Sequence, residues 1–262
     1  MSKMKVLVTG SSGQIGRGFL RHFGHAYDLR LTYNTHPFDA PGHEVAQMDL
    51  TDYGSVLKAT QGLEAVVHLG ADSRGQQPWE TVLPNNIVGT YNAMEAAREA
   101  GVRRFVYASS NHAAGFALNE GIPLSADAPD RPDSLYGVGK IFGEALGRFY
   151  HDKHGLEVIC LRIGACHGDD FWASQQAIVQ RAIDHRGGYP YDLATYLAIW
   201  ISPRDMSQLI HCALSADCDW GVFYGISDND PAAFDLSETQ RALGYKPQDN
   251  VQDLFDLPIE EL

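Results

Sequence analysis

Short apolar runs alternate with amphipathic segments along most of the first 163 residues of this 262-residue chain. Lys5–Thr9 is a run of Val and Leu that ends at Gly10, and apolar residues at helical spacing follow as far as Phe23. The same pattern predicts further strands at 29–33, 44–48, 65–69, 104–108 and 158–163, and long helices at 86–100 and 135–154. Strands that are apolar throughout and alternate with helices are typical of a parallel sheet covered on both faces. The sequence therefore predicts an α/β fold built on a doubly wound parallel sheet.

Three glycines, Gly10, Gly13 and Gly16, mark the junction of the first predicted strand and the first predicted helix. Glycines at this spacing let the backbone turn sharply and approach a pyrophosphate, whose charge meets the N–H groups of the helix N-terminus. A bare glycine pattern is weak evidence, but its position between a strand and an amphipathic helix makes it specific. We therefore expect a dinucleotide-binding Rossmann fold.

The end of the second predicted strand bears on the choice of cofactor. An acid usually stands there to bind the adenosine ribose, whereas this chain has Tyr33 or Asn34. The sequence provides no cation for a 2′-phosphate either, since the nearest, Arg30, lies within the strand. We expect NAD and leave NADP open. Asp49, after the third strand, suits an adenine contact and equally a turn or a helix cap.

Tyr136 and Lys140 are four residues apart on a predicted helix, which puts the phenol and the ammonium on one face. A neighbouring cation lowers the pKa of a phenol and so suits a tyrosine that acts as a general base. The pair alone is equally typical of an exposed helix face. Ser110, Asn111 and His112 follow the fifth strand at the same edge of the sheet, where their side chains can bind reacting oxygens and sugar-like hydroxyls or simply cap a turn. The combination predicts a catalytic site.

Together with the segments HLGA (68–71) and NIVGT (86–90), these motifs resemble the extended short-chain dehydrogenase/reductase family over nearly the whole chain. More specific strings are similar to uronate dehydrogenases and to the related NAD-dependent dehydrogenases of glucose 6-phosphate: ASSNH (108–112), RPDSLYGVGK (131–140), FGE (142–144), RIGAC (162–166) and the segment around Trp200. YGISDND (224–230) and LGYKPQDN (243–250) resemble the second group.

The resemblance implies an NAD(P)-dependent oxidoreductase that oxidises the anomeric C1 hydroxyl of a cyclic aldose to the aldonolactone. The substrate class implied carries an anion at C6, as a hexuronate, glucose 6-phosphate or sulfoquinovose does. Tyr136 is implied to be the base, Lys140 to bind the nicotinamide ribose and lower the pKa of the tyrosine, and Ser110 to complete the triad. No metal is implied.

The resemblance also implies binding residues at positions along most of the chain. The substrate contacts implied are Ser73, Ser110, Asn111, His112 and Tyr136. The implied cofactor contacts are Gly10, Gly13, Gln14, Ile15, Gly16, Asp49, Leu50, Leu69, Gly70, Ala71, Asn86, Tyr136, Lys140 and Ile163.

The chain departs from uronate dehydrogenases at three positions. Thr195 stands where they carry a substrate-binding Arg five residues before Trp200, Ala165 replaces a Ser, and Tyr33 replaces an acid. The stretch 168–191 is also longer than the family pattern, and it brings three basic side chains that suit either an anion site or a solvated helix face: Arg181, His185 and Arg186. The sugar and its C6 anion are therefore left open.

The regular alternation ends after residue 164. Downstream, Ser202 has the character of a helix N-cap, with Pro203 in the first turn and Asp205 completing a capping box. Ligands of doubly wound sheets bind at the carboxyl ends of the strands, so we expect the C-terminal region to cover that crevice. We predict one structural unit, with residues 1–164 as the dinucleotide-binding core and 165–262 as a small substrate-binding and C-terminal region.

Composition excludes several classes of function. A formal net charge of −13 without a basic stripe argues against a nucleic-acid binder. The apolar runs are far shorter than the ~20 residues that cross a bilayer, and four cysteines without a CxxC pair give no zinc or disulfide pattern. We expect a cytoplasmic protein that does not bind membranes. The resemblance implies a homodimer or higher homo-oligomer formed by the helices near Asn86 and Leu135.

Two other functions are compatible with the same motifs. A nucleotide-sugar epimerase or reductase of the same superfamily uses the same triad, but it needs a C-terminal region that holds a second pyrophosphate and a base. Fewer than 100 residues follow Ile163, which leaves limited room. A non-catalytic dinucleotide sensor would keep only the fold, and it has no need of Ser110, Tyr136 and Lys140 together.

Overall fold

Parallel strands form the central layer of the protein, seen here in a computed structural model that describes residues 2–74, 77–120, 123–125, 127–166 and 192–254. Within these ranges the main sheet has seven strands in the order β3-β2-β1-β4-β5-β6-β9. Their bounds are β1 Lys5–Thr9, β2 Asp28–Tyr33, β3 Glu44–Gln47, β4 Ala65–His68, β5 Arg104–Ser110, β6 Glu157–Ile163 and β9 Trp220–Gly225. A small second sheet pairs β7 (Ala165–Cys166) with β8 (Trp200–Ile201).

Helices cover both faces of the main sheet. They are α1 Gln14–Phe23, α2 Tyr53–Thr60, α3 Trp79–Val82, α4 Gly89–Glu99, α5 Leu135–His154, α6 Leu193–Ala198, α7 Pro203–Ser215 and α8 Ser237–Leu243. One core lies under α1 and α7, where Phe19 packs with Leu209 and Ile210. The other lies under α2, α4 and α5, where Met94 packs with Val56. Both cores are continuous apolar layers, which confirms the predicted doubly wound sheet.

The strand order reverses between β1 and β4, and this is where the ligand crevice of a doubly wound sheet opens. Thr9 pairs with His68 in register, and Ser110 pairs with Ile163. The segments that leave these strand ends therefore emerge side by side at one edge of the sheet. The glycine turn, the segment after His68 and the start of the Ser110 loop share that edge.

The predicted helix at 86–100 differs from what the chain forms. Residues Leu83–Val88 form a π-helical segment, in which Gly89 N–H donates to the Pro84 carbonyl, and the regular α-helix begins only at Gly89. Pro84 lacks an N–H and stands in the first turn of this segment, where no N–H is needed, so helical structure begins before residue 86 although the regular α-helix begins after it. The π-helical segment also carries Asn86, whose contacts are described below.

The capping box predicted at Ser202 is half confirmed. The Ser202 side chain accepts a hydrogen bond from the Asp205 backbone N–H at 3.0 Å, as predicted. The reciprocal bond is not formed, because Ser202 N–H donates to Ser227 Oγ instead. The Asp205 carboxylate accepts from Ser227 Oγ at 2.7 Å and from the backbone of residues 248 and 249. It therefore ties α7 to the C-terminal segment.

Candidate active site

The glycine turn between β1 and α1 brings backbone together more closely than any side chain would allow. Gly10 has a φ of 65°, and a Cβ there would lie 2.8 Å from the backbone N of Gly70. A Cβ on Gly16 would lie 2.5 Å from Ser11 Cα. Gly13 is the N-cap of α1 and makes no side-chain capping bond, and the first residues of the helix, 14–16, line the cavity described next, so the N–H groups that a helix leaves unpaired in its first turn lie at its wall. Such a cradle fits the pyrophosphate of a dinucleotide.

A cavity of about 640 Å³ lies at the carboxyl edge of the sheet beside this turn. Fifteen of the residues predicted to bind cofactor or substrate line it: Gly10, Gly13, Gln14, Ile15, Gly16, Leu69, Gly70, Ala71, Ser73, Ser110, Asn111, His112, Tyr136, Lys140 and Ile163. The geometry therefore brings the predicted dinucleotide cradle and the predicted Ser/Tyr/Lys triad into one space.

The start of α5 positions Tyr136 and Lys140. Ser134 is the N-cap of this helix, and its Oγ accepts from Gly137 N–H at 3.1 Å. A Cβ on Gly137 would lie 2.4 Å from the His112 carbonyl oxygen, so the absence of a side chain lets α5 pack directly on the segment after β5. This close contact brings the helix that carries Tyr136 against the loop that follows Ser110.

Lys140 is buried, and its ammonium lies near the faces of two aromatic rings. The Nζ atom lies 5.2 Å from the ring centroid of Tyr136 and 5.1 Å from that of Tyr107, and it donates to the Ala108 carbonyl at 2.6 Å. Desolvation lowers the pKa of Lys140 to about 8, and the nearby Glu144 carboxylate opposes that shift. A cation next to the Tyr136 phenol stabilises the phenolate, which is the form a general base requires.

Ser110 ends β5 and caps the short helical turn Asn111–Ala113. Its Oγ accepts from His112 N–H and donates to Asn111 Oδ1, both at 3.3 Å. The His112 ring meets the Tyr136 ring edge to face, with centroids 5.6 Å apart. Three polar side chains of the β5 loop are thus gathered on the triad side of the cavity.

A buried ion pair between α5 and β6 lies next to the triad. Arg162 on β6 donates through Nε to Glu144 Oε1 at 2.9 Å and through Nη2 to Glu144 Oε2 at 2.7 Å. Ser109 Oγ also donates to Glu144, at 2.5 Å, and Arg162 further pairs with Asp130. Glu144 lies one helical turn beyond Lys140, so this cluster fixes α5 against the ends of β5 and β6.

Three predicted cofactor residues, Asp49, Leu50 and Asn86, do not line the cavity. Asp49 Oδ1 accepts from the backbone and hydroxyl of Thr51, so it forms a turn, while Asp52 caps α2. Leu50 packs on Gly70, whose Cβ would lie 2.6 Å from Leu50 Cδ1.

Asn86 is buried in the π-helical segment behind the cavity. It accepts from Asp72 N–H at 2.8 Å and donates to the Asp72 carbonyl at 3.0 Å. These two bonds hold the loop that carries Ala71 and Ser73, so Asn86 shapes the cavity from outside its lining.

Eight residues that the sequence patterns do not predict as contacts also belong to the lining. Ser12, Ala108, Ser109, Gly164, Ala165, Cys166, Tyr196 and Ile199 also line the cavity. Ser12 and Cys166 belong to motifs already singled out, but Tyr196 and Ile199 sit on the short α6 region and carry no local signal. Thr195 lies in α6, with its N–H on Asp192 Oδ1. The predicted candidates Arg181, His185 and Arg186 lie outside the described residues.

The glycine turn at the switch point of a parallel sheet, with a Tyr/Lys helix in the same cavity, defines a dinucleotide-binding protein with a candidate oxidoreductase site. A model of the NAD dependent epimerase/dehydratase family matches residues 6–216. The chain belongs to this family. Among the described residues, no group of three or more His, Cys, Asp or Glu is arranged to hold a metal ion. None of the described helices is long and apolar enough to span a bilayer.

Relatives of known activity cover almost the full length. NAD-dependent glucose-6-phosphate dehydrogenase of Haloferax volcanii is 37% identical, over 94% of this chain and 93% of that protein. L-arabinose 1-dehydrogenase (NAD(P)(+)) of the same organism is 37% identical, over 94% of this chain and 97% of that protein. A crystal structure of a mutant uronate dehydrogenase from Agrobacterium tumefaciens, complexed with NAD, is similar with a TM-score of 0.77 and 34% identity, over 98% of this chain and 92% of that chain. These comparisons confirm the predicted fold and the predicted resemblance to NAD-dependent sugar dehydrogenases.

Proposed function

We propose that this chain oxidises the anomeric C1 hydroxyl of a cyclic aldose to the aldonolactone. The observation that carries the proposal is that Ser110, Tyr136 and Lys140 share one cavity with the glycine turn. In this reaction the C1 hydroxyl gives up its proton, C1 gives up a hydride, and the C1–O bond becomes a carbonyl. NAD, when bound, supplies the acceptor for the hydride.

Each member of the triad has a distinct task in the proposed reaction. Tyr136, as the phenolate, takes the proton of the C1 hydroxyl. Lys140 stabilises that phenolate and binds the nicotinamide ribose; its contact with the Ala108 carbonyl fixes the ammonium beside the phenol. Ser110 donates a hydrogen bond to the reacting oxygen, which requires it to give up its long bond to Asn111.

The proposed substrate contacts are the polar side chains that line the cavity near Tyr136. Ser73 faces the cavity from the loop that Asn86 holds, and Asn111 and His112 face it from the β5 loop. An amide, an imidazole and a hydroxyl together offer both donors and acceptors to the secondary hydroxyls of a sugar. They suit a polyhydroxylated substrate better than an apolar alcohol.

The proposed cofactor is NAD. The N-terminus of α1 and the glycine turn receive the pyrophosphate, and Ile163 and Lys140 lie toward the nicotinamide end. At the adenosine end, Tyr33 closes β2 without an acid or a cation, and Arg30 is engaged with Glu44 at 2.7 Å. Because its guanidinium is paired with Glu44, Arg30 does not offer a free cation to the 2′-phosphate of NADP. Asp49 and Leu50 remain proposed contacts of the adenosine half, and Asn86 acts through the loop it holds.

The proposed substrate carries an anion at C6. Among the described residues that line the cavity, Lys140 and His112 are the only basic side chains. Lys140 is proposed to act on Tyr136 and the nicotinamide ribose, so it does not bind the C6 anion. Thr195 stands where uronate dehydrogenases carry an arginine for that purpose. The L-arabinose relative acts on a sugar without a C6 anion. A neutral aldose is therefore the second candidate substrate.

The two predicted regions are proposed to share the work within one structural unit. Residues 1–164 supply the cradle and the triad, and residues 165–262 supply part of the substrate side. Ala165, Cys166 and Tyr196 line the cavity, which supports that division. β9 joins the main sheet beside β6, and α7 packs on the same core as α1, which supports a single unit.

The proposal includes self-association and a cytoplasmic location. Exposed apolar side chains on α4 and α5 support a homodimer or higher homo-oligomer: Tyr91, Leu135, Val138 and Phe149. The cytoplasm holds NAD and keeps thiols reduced, which suits four cysteines without a disulfide.

The experiment is a panel of sugars monitored by NADH or NADPH absorbance. Glucuronate, galacturonate, glucose 6-phosphate, sulfoquinovose, glucose and arabinose are each tested with NAD and NADP. Turnover with the anionic aldoses and NAD supports the proposal, and turnover with glucose or arabinose alone contradicts the C6 anion. A rise in melting temperature with UDP or dTDP would instead favour a nucleotide-sugar enzyme. Tight NAD binding without turnover of any sugar would favour a non-catalytic sensor.

A further inference from the structure

A buried carboxylate faces the imidazole next to the catalytic tyrosine. The Asp133 side chain has no exposed surface, and its Oδ1 and Oδ2 atoms lie 2.9 and 3.0 Å from His112 Nδ1. Oδ1 also accepts from Ser134 Oγ at 3.0 Å. Asp133 lies in the segment 131–140, where its position in the sequence alone points to no role.

The chemistry of this pair indicates which nitrogen of His112 carries the hydrogen. A carboxylate can only accept hydrogen bonds, so Nδ1 must be the donor toward Asp133. In the neutral ring, Nε2 then has a lone pair and no hydrogen. A carboxylate on one nitrogen of a histidine is the usual means of fixing its tautomer and the orientation of its ring.

The His112 ring lies beside the residues of the proposed reaction. His112 lines the cavity, and its ring meets the Tyr136 ring edge to face at 5.6 Å. Its carbonyl lies against Gly137, and its N–H is held by Ser110 Oγ. The imidazole is therefore held by contacts on its backbone, its Nδ1 and its ring face, all beside the atoms of the proposed reaction.

We propose that Asp133 is a positioning residue that holds His112 in the tautomer whose Nε2 accepts a hydrogen bond from a substrate hydroxyl beside C1. This inference rests on the proposed function, since it assigns the hydroxyl to a sugar. With Nε2 as an acceptor, the cavity favours a sugar that has a second hydroxyl beside the C1 hydroxyl that Tyr136 deprotonates. For a deoxy sugar that lacks this second hydroxyl, Asp133 should have no effect on KM.

A structural role for Asp133 would produce a different pattern of defects. Asp133 directly precedes the N-cap of α5, and a negative charge at the start of a helix is stabilising by itself. Loss of that role would lower stability whatever stands at residue 112. Loss of the positioning role would act only through His112. A double-mutant cycle separates the two.

The test compares wild type, Asp133→Asn, His112→Ala and the double variant with the best sugar of the panel. An amide can either accept from Nδ1–H or donate to a bare Nδ1, so Asp133→Asn no longer fixes the tautomer. We expect Asp133→Asn to raise KM for the sugar about tenfold with kcat changed less than about threefold. NAD affinity stays the same. In the His112→Ala background, Asp133→Asn changes KM by less than about twofold. Equal effects of Asp133→Asn in both backgrounds would overturn the proposal.

A second measurement does not depend on turnover. Ring ¹⁵N shifts of labelled histidine, with His112 assigned by its loss in His112→Ala, report the tautomer directly. We expect the Nδ1–H form in wild type and a mixture in Asp133→Asn; the Nε2–H form in wild type would overturn the proposal. If no sugar is turned over, the proposed function fails, while this spectrum still decides whether Asp133 sets the tautomer.

A matched control removes a different histidine partner. Tyr27 precedes β2 at the opposite edge of the sheet, and its hydroxyl lies 2.7 Å from His211 Nδ1. Tyr27→Phe should leave the KM for the sugar and the His112 signal unchanged. A rise in KM as large as that of Asp133→Asn would mean that loss of any histidine partner loosens the site, and it would overturn the specific role of Asp133.

Discussion

Removing the charge of Glu144 should destabilise the protein far more than removing a charge from the surface of the same helix. The side chains of Glu144 and Arg162 are 7% and 4% exposed, and two hydrogen bonds of 2.7 and 2.9 Å join them. Glu144→Gln keeps the size of the side chain but leaves the guanidinium without its buried counter-charge.

The size of the effect follows from that burial. Breaking a buried pair by removing one partner costs about 3–5 kcal/mol, because an uncompensated charge is left in the interior. Asp130 still pairs with Arg162, and its side chain is 46% exposed, so it offsets part of the loss. We expect a cost near the lower end, about 3 kcal/mol, and a fall in Tm of roughly 6 °C or more.

The assay is urea unfolding and thermal melting of Glu144→Gln beside Asp152→Asn. Asp152 pairs with Arg148 on the outer face of α5 at 2.7 Å, and both side chains are about half exposed, at 51% and 54%. Loss of such a pair costs about 0.3–0.5 kcal/mol. Equal shifts in Tm for the two variants would refute the reasoning that burial of the Glu144–Arg162 pair determines its cost.

Two further predictions concern Lys140 and the exposed face of α5. Burial lowers the pKa of Lys140 from 10.5 to about 8, so between these pH values the unfolded chain binds more protons than the folded protein. The free energy of unfolding of wild type, relative to that of Lys140→Met, should therefore rise by roughly 3 kcal/mol as the pH is raised from 8 to above 10.5. Urea unfolding of both proteins at both pH values measures this change. A difference in unfolding free energy that stays the same at the two pH values would contradict the lowered pKa of Lys140. Val138, 43% exposed, lies on the face proposed for self-association, so Val138→Glu should convert an oligomer to a monomer in light scattering. A monomeric wild type would contradict that interface.

The parts of the fold that could be predicted are those whose signal is local. Strands buried on both faces are apolar nearly throughout, so the continuous apolar runs of the sequence predict β1, β4 and β5. The convergence of Ser110 with Tyr136 and Lys140 also followed, because the loop after β5 and the start of α5 meet at one edge of a parallel sheet.

The supporting contacts could not be predicted, because they join residues that are distant in sequence. Asp133 and Glu144 are charged positions on or beside a helix, and a charge there is usually solvated. Only the fold shows that Asp133 faces His112, 21 residues earlier, and that Glu144 faces Arg162, 18 residues later. The low pKa of Lys140 likewise requires burial beside Tyr107, which no local pattern reports.

The most direct test of the central claim is turnover and NAD binding in Tyr136→Phe. The variant keeps the ring that packs on His112 and loses only the hydroxyl proposed as the base. With the best sugar of the panel, kcat should fall by a factor of about 10²–10⁴, while the Kd for NAD stays within about twofold of wild type. Near-normal kcat in a variant that binds NAD as wild type does would contradict the claim that this phenol takes the proton from C1.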